Sequence, residues 1–269
     1  MSTVGASFAA DLQAYAAAGV DGIGIWEMKL DEASLEQFRA SGLGAASAVP
    51  AIPSIHPLPL LPGPDDPRER IDSLLRSLHV LAPFEPTAVV CLTGPGPRET
   101  VVEGLREVAA EAARLGLTLA LEPFQREGIE NWSIVNTIGD AVELIDEVGS
   151  PELGIQFDVW HLWNTPDLFD EVHAYADRIR GVHVNDWREP TRGWADRVLP
   201  GDGIADVPAI LGALDRAGWD GFYDLEIFSD NGVFGNTYEG SLWDVQPTEL
   251  ATRSRESFTQ CWERRTVTA

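Results

Sequence analysis

Apolar, β-prone runs alternate with amphipathic helical segments along almost the whole chain, and that regularity leaves few folds open. The strand-like runs are residues 22–26, 43–49, 88–92, 117–121, 154–157, 179–184 and 222–225. Helical segments fall at 34–40, 68–81, 99–115, 137–148, 167–175, 207–217 and 247–262. Within 68–81, Ile71, Leu74, Leu75 and Leu78 follow the i, i+3, i+4, i+7 spacing of one helix face. Gly116, Gly149 and Gly218 stand where helices stop, and the Pro-rich stretch 50–67 reads as a loop holding His56. Apolar strands in strict alternation with helices imply a parallel sheet covered by helices. An open dinucleotide-binding sheet needs a G-x-G-x-x-G turn after an early strand. Gly22-Ile-Gly24 is followed by Ile25-Trp26-Glu27 and lacks the third glycine. The pattern therefore predicts an α/β TIM (β/α)8 barrel with a short or irregular first strand, for which residues 2–6 are the candidate. No low-complexity linker divides the chain, so one domain over residues 1–269 is expected.

Four of the strand-like runs end in a metal-ligand type of side chain. These are Leu119-Ala-Leu-Glu122, Ile155-Gln-Phe-Asp158, Val182-His183-Val184 and Tyr223-Asp-Leu-Glu226, with the polar residues 36, 25 and 43 positions apart. In a barrel every strand end opens on one shared face. Three carboxylates and an imidazole meeting there would hold a divalent cation. An acid after a strand is by itself a common helix cap; four in order with these residue types point to a shared site. The same ends carry Asp158-Val-Trp-His161 and His183-Val-Asn-Asp186, and the loop Arg197-Val-Leu-Pro-Gly-Asp-Gly203 follows. His161 has a plain alternative as a packing residue beside Asp158, and Asp202 as a turn residue. Trp26, Phe124 and Trp160 are the aromatic side chains expected to line the site. His79 and His173 lie on helices and read as packing or surface residues.

The charge excludes other classes of function. Nineteen basic against 43 acidic residues give a formal charge of −24. Such a surface repels nucleic acid and anionic membranes. The two cysteines, Cys91 and Cys261, have no metal or redox spacing, and Cys91 sits inside an apolar run as an inert thiol. The first residues lack a secretory pattern, and no apolar stretch reaches the ~20 residues of a membrane span. The expectation is a soluble cytoplasmic protein.

Taken in order, Leu121-Glu122-Pro123, Phe157-Asp158-x-x-His161, Val182-His183-Val-x-Asp186, Pro200-Gly-Asp-Gly203 and Leu225-Glu226 resemble the xylose isomerase-like TIM barrels, the sugar isomerase/epimerase superfamily, over residues from about 22 to 226. The resemblance implies one divalent ion, manganese first with magnesium, cobalt or zinc as alternatives, on Glu122, Asp158, His183 and Glu226. Glu122 and Glu226 would also move the proton. Substrate contacts are implied for His161, Asp186 and Arg197. Where the family commonly has His-x-Lys-Asp or His-x-Gly-Glu, this chain has His183-Val-Asn185-Asp186.

The expected activity is isomerisation or epimerisation of an unphosphorylated sugar or keto-sugar, because no basic phosphate cradle is present. The partner is thus a small sugar or cyclitol. A lyase acting on a keto-inositol, dehydroshikimate or 3-keto-glycoside is the alternative, since both chemistries begin with removal of the same α-proton. An apurinic endonuclease-like reading needs more His than the five present and a basic face. A non-catalytic sugar-binding barrel is disfavoured by the four-residue set. Residues 230–242, with three glycines, form a candidate lid or subunit contact. A homo-oligomer joined through the last helix and Trp262 is left open.

Overall fold

The computed structural model describes residues 2–59, 61–125, 129 and 131–265. Seven parallel strands form the sheet in the order β1 (Gly22–Trp26), β2 (Gly44–Val49), β3 (Val89–Cys91), β4 (Leu119–Leu121), β5 (Leu153–Asp158), β6 (Ile179–Val184) and β9 (Tyr223–Leu225). The sheet curls into a nearly closed TIM barrel with β1 and β9 as its two edges. A two-residue antiparallel pair, β7 (Asp186–Trp187) and β8 (Arg197–Val198), stands outside it. The helices are α1 (Phe8–Ala18), α2 (Ser34–Ser41), α3 (Pro67–Leu81), α4 (Arg98–Leu115), α5 (Ile138–Val148), α6 (Val159–Leu162), α7 (Leu168–Ala174), α8 (Val207–Arg216) and α9 (Pro247–Arg264).

Local chemistry explains the helix limits. Thr137 accepts a hydrogen bond from the Asp140 amide at the start of α5, and Asp66 does the same for Arg68 before Pro67 opens α3. Gly116 and Gly149 adopt the left-handed conformation at the ends of α4 and α5, with φ of 69° and 75°. The apolar stripes of α3, α4 and α5 meet the outward strand residues Val89, Cys91, Leu119, Leu121, Ile155 and Phe157 in one buried layer. Because side chains alternate across a strand, the residues between these point into the barrel. The result is a dry outer core and a polar interior that contains Ser47, Gln156, Asp158, His183 and Asp224.

Two features of the N-terminus differ from the sequence expectation. Residues 2–6 form turns rather than a strand, and helix α1 follows at once. Its signals were present in the sequence: Ser7 caps it through the Ala10 amide, and Gly19 closes it at φ 69°. The turn is nevertheless fixed to the barrel. Ser2 Oγ donates to the Leu225 carbonyl (2.6 Å) and accepts from the Ile227 amide (3.1 Å). Below it, between the edges β1 and β9, lies a cavity of about 580 Å³ lined by Gly22, Gly24, Tyr223, Asp224, Thr3 and Tyr15 among others. The barrel therefore has a seam at its first-strand position. Both cysteines are free and buried, and burial pushes the Cys91 thiol up to about 12, as suits an inert core residue.

Candidate metal centre

Glu122 follows β4, Asp158 ends β5, His183 is the penultimate residue of β6 and Glu226 follows β9. The strand register sets Asp158 beside His183, and His183 beside Asp224. One ligand atom from each of Glu122, Asp158, His183 and Glu226 lies within 4.8 Å of the others, and all four residues are buried. His183 Nδ1 is 3.4 Å from Glu122 Oε1, 3.5 Å from Glu226 Oε2 and 4.0 Å from Asp158 Oδ2. Neither His183 Nδ1 nor Glu122 Oε1 has a hydrogen-bond partner among the described residues. Buried polar atoms without a partner need an explanation, and an ion shared among these clustered donors would supply one. The nitrogen-plus-oxygen donor set suits a first-row divalent ion or magnesium.

Electrostatics support the same reading. Burial raises the Glu122 carboxyl to about 7, and the nearby Asp158 and Glu226 add to this. Burial opposes charge on His183 too, but Glu226, Glu122 and Asp224 outweigh it and lift the imidazole to about 10. Asp158 is held well below the usual carboxylate range: burial works against this, and Arg197 and His183 prevail. Three acids thus face one guanidinium and one shared proton, and a divalent cation would complete the balance.

Arg197 Nη1 bridges Asp158 Oδ2 and Glu226 Oε2 at 2.9 Å each. Its guanidinium carbon stacks 5.0 Å from the Trp160 ring centre and 4.8 Å from that of Phe228. His161 lies flat on Phe124, with ring centres 4.2 Å apart, and its Nδ1 accepts from the Gln125 amide. Burial drives His161 down to about 3, so it is a neutral imidazole. Glu122, Phe124, Trp160, His161, Arg197 and Glu226 all line one cavity of about 50 Å³, walled further by Trp132, Trp194, Phe228, Val90 and Leu92.

Two sequence-chosen residues lie elsewhere. Trp26 is buried at the end of β1 and is absent from the lining of this cavity. The Asp186 carboxylate accepts from the backbone amides of Trp187, Gly201, Gly203 and Ala205, so it holds the loop between β8 and α8. At the variant position, Asn185 Nδ2 donates to Asp158 Oδ1 (2.8 Å) and to the Glu226 carbonyl (3.3 Å), fixing one ligand residue against another. Position 185 stood out in the sequence as a departure from the family pattern; Ser47, Trp132, Trp194 and Phe228 were not singled out as neighbours of the site. Phe228 follows Glu226 by two residues, so strand alternation would have found it; the tryptophans on loops carried no such signal. Residues 230–242 fold back on the site's rim: the Asp230 carboxylate accepts from the amides of Gly232, Phe234 and Asn236. Phe234 and Trp243 also pack on the Trp194–Phe228 wall.

The xylose isomerase-like TIM barrel family model matches residues 12–261. A ketose 3-epimerase of Arthrobacter globiformis is 32% identical over 127 residues, 47% of this chain and 40% of that enzyme. An inosose dehydratase of Geobacillus thermodenitrificans is 24% identical over 159 residues, 54% of this chain and 51% of that one. The matched stretches thus span about half the length of these relatives. Among solved structures, the IolI protein with a bound zinc atom superposes with a TM-score of 0.78 at 19% identity, covering 99% of this chain and 97% of that one.

Proposed function

The chain belongs to the xylose isomerase-like TIM barrel family, and from that premise we propose that it is a divalent-metal-dependent isomerase or epimerase of an unphosphorylated sugar or keto-sugar. The observation that carries this is the cluster of Glu122, Asp158, His183 and Glu226 at the barrel mouth, with two ligand atoms unpartnered. Manganese is the ion we favour; the zinc in IolI marks zinc as the nearest alternative. When bound, the ion supplies Lewis-acid polarisation of a substrate carbonyl and its neighbouring hydroxyl.

The chain's own residues do the rest. Glu122 and Glu226 are the general bases: one carboxylate takes the proton from the carbon beside the carbonyl, and the other returns one. The raised Glu122 carboxyl suits a group that both accepts and gives a proton near neutral pH. Arg197, paired with Asp158 and Glu226 on one side and facing the cavity on the other, supplies fixed positive charge where an oxyanion develops. Neutral His161 offers its ring to a substrate hydroxyl. Trp160, Phe124 and Phe228 keep water out and give a sugar's apolar face something to stack on.

A second reading, a lyase, draws support from the inosose dehydratase relative. It begins with the same proton removal and ends with loss of a β-hydroxyl. One experiment separates the readings: elemental analysis of the purified protein beside Glu226→Gln and His183→Ala, then a screen of ketoses, inososes and 3-keto-glycosides in D2O followed by proton NMR. The proposal expects about one ion per chain, lost in both variants, and deuterium at the α-carbon of an epimer or isomer. An unsaturated product would favour the lyase. Absence of any ion, even after incubation with manganese, zinc, cobalt or magnesium, would overturn the metal reading.

A further inference from the structure

The inward face of β9 carries a second carboxylate. Asp224 precedes Glu226 by two residues, so strand alternation places both inside the barrel, one layer apart. His183 stands between the layers. Its Nδ1 faces Glu122 and Glu226, while its Nε2 faces Ser47 Oγ at 3.5 Å and Asp224 Oδ2 at 4.0 Å. Ser47 in turn donates a short hydrogen bond to Asp224 Oδ2. Across the seam, a Cβ on Gly24 would meet the same oxygen at 2.4 Å, so only glycine on β1 leaves Asp224 room to lie here.

The direction of these contacts is fixed by chemistry. Ser47 has one hydroxyl proton, and it goes to Asp224 Oδ2. Ser47 Oγ can then only accept from His183, which requires the imidazole proton to sit on Nε2. Once the shared proton has left, the lone pair falls on Nδ1, the nitrogen that faces the acids.

We propose that Asp224, acting through Ser47, is the positioning residue that sets the tautomer and aim of His183, so that Nδ1 is held ready as a metal ligand. This inference rests on the metal reading of the site. Outer partners of ligand histidines typically change metal affinity 10–100-fold when removed.

The test is calorimetric titration of the chelator-stripped protein with manganese, for wild type, Asp224→Asn, Ser47→Ala and the double variant. Nitrogen-15 NMR of the histidine ring in the zinc-loaded proteins accompanies it. Each single variant is expected to bind manganese about 10–100-fold more weakly, and the double variant no more weakly than the weaker single, because the two residues act in one line. In the zinc-loaded variants the ring keeps its proton on Nε2 but loses that proton's hydrogen bond, seen as an upfield Nε2–H signal that exchanges faster with water, which a merely structural role would not produce. Ser47→Thr, which keeps the hydroxyl, should restore binding. Unchanged affinity and spectrum in folded variants would overturn the relay. So would weakening confined to Asp224→Asn, which would make Asp224 a remote charge only. Failure of the wild type itself to bind would instead overturn the metal reading beneath it.

Discussion

Two buried polar clusters lie close together in this barrel, and they differ in one respect that decides their roles. At the seam, Thr3 Oγ1 donates to Asp11 Oδ1 (2.7 Å) and meets the Tyr15 hydroxyl at 2.9 Å. Lys29 donates to the Thr3 carbonyl (3.0 Å) and pairs with Asp11. One acid meets one cation, and each side chain has a partner. At the barrel mouth, three acids share one arginine and one imidazole, and His183 Nδ1 and Glu122 Oε1 make no hydrogen bond among the described residues. The first cluster is closed and ties the N-terminal turn to the sheet. The second carries an excess of acid and has the geometry to hold a cation. Burial and residue type are alike in both; the unbalanced charge and orphaned atoms make the difference.

The comparison breaks most sharply on catalysis. Glu122→Gln or Glu226→Gln should lower kcat by about 10²–10⁴-fold, the usual worth of a positioned general base. The metal-free Glu122→Gln variant should melt no lower than metal-free wild type, because burial already disfavours the charge that is removed. A large drop in melting temperature would show that this acid serves the fold.

The closed cluster should behave the opposite way. Lys29→Met leaves Asp11 buried without its cation, and we expect a loss of about 3 kcal/mol in denaturant unfolding, as for other broken buried pairs. Manganese affinity per folded molecule should be unchanged. A weakened metal site in this variant would mean the seam and the mouth are coupled.

A smaller, pH-dependent effect sharpens the contrast. The folded His183 is raised to about 10 from 6.5, so its proton stabilises the metal-free protein fully below pH 6.5, and that stability is lost as pH rises through 10. Glu122, raised to about 7 from 4.5, acts in the same direction at lower pH. Metal binding must displace the shared proton. Melting temperature in EDTA should therefore fall across the alkaline range, while that of the manganese-loaded protein should fall much less. Parallel curves would refute the shared proton.

Much of this was legible in the chain itself. Periodicity, capping residues and helix-ending glycines specify local structure through short-range sterics and hydrogen bonding, so most strands and helices and the four strand-end residues that cluster could be read directly. Alternation would also have marked Asp224 and Phe228, each two residues from Glu226. What the sequence could not contain is which charges share a cavity. Trp26 and Trp160 look alike as strand-end aromatics, yet only Trp160 reaches the cavity lining. Asp186 and Asp158 both end or follow strands, yet one is consumed by four backbone amides and the other joins Glu122, His183 and Glu226. Nor does local pattern show that Arg197 bridges Asp158 and Glu226, or that Ser47 stands between His183 and Asp224. Those outcomes depend on strand register and on loops brought together from distant parts of the chain. The alternation of apolar and polar residues determined the barrel and its ligand-bearing face. Only the curled sheet decided the balance of charge within it, because that balance is a sum over residues the chain itself keeps far apart.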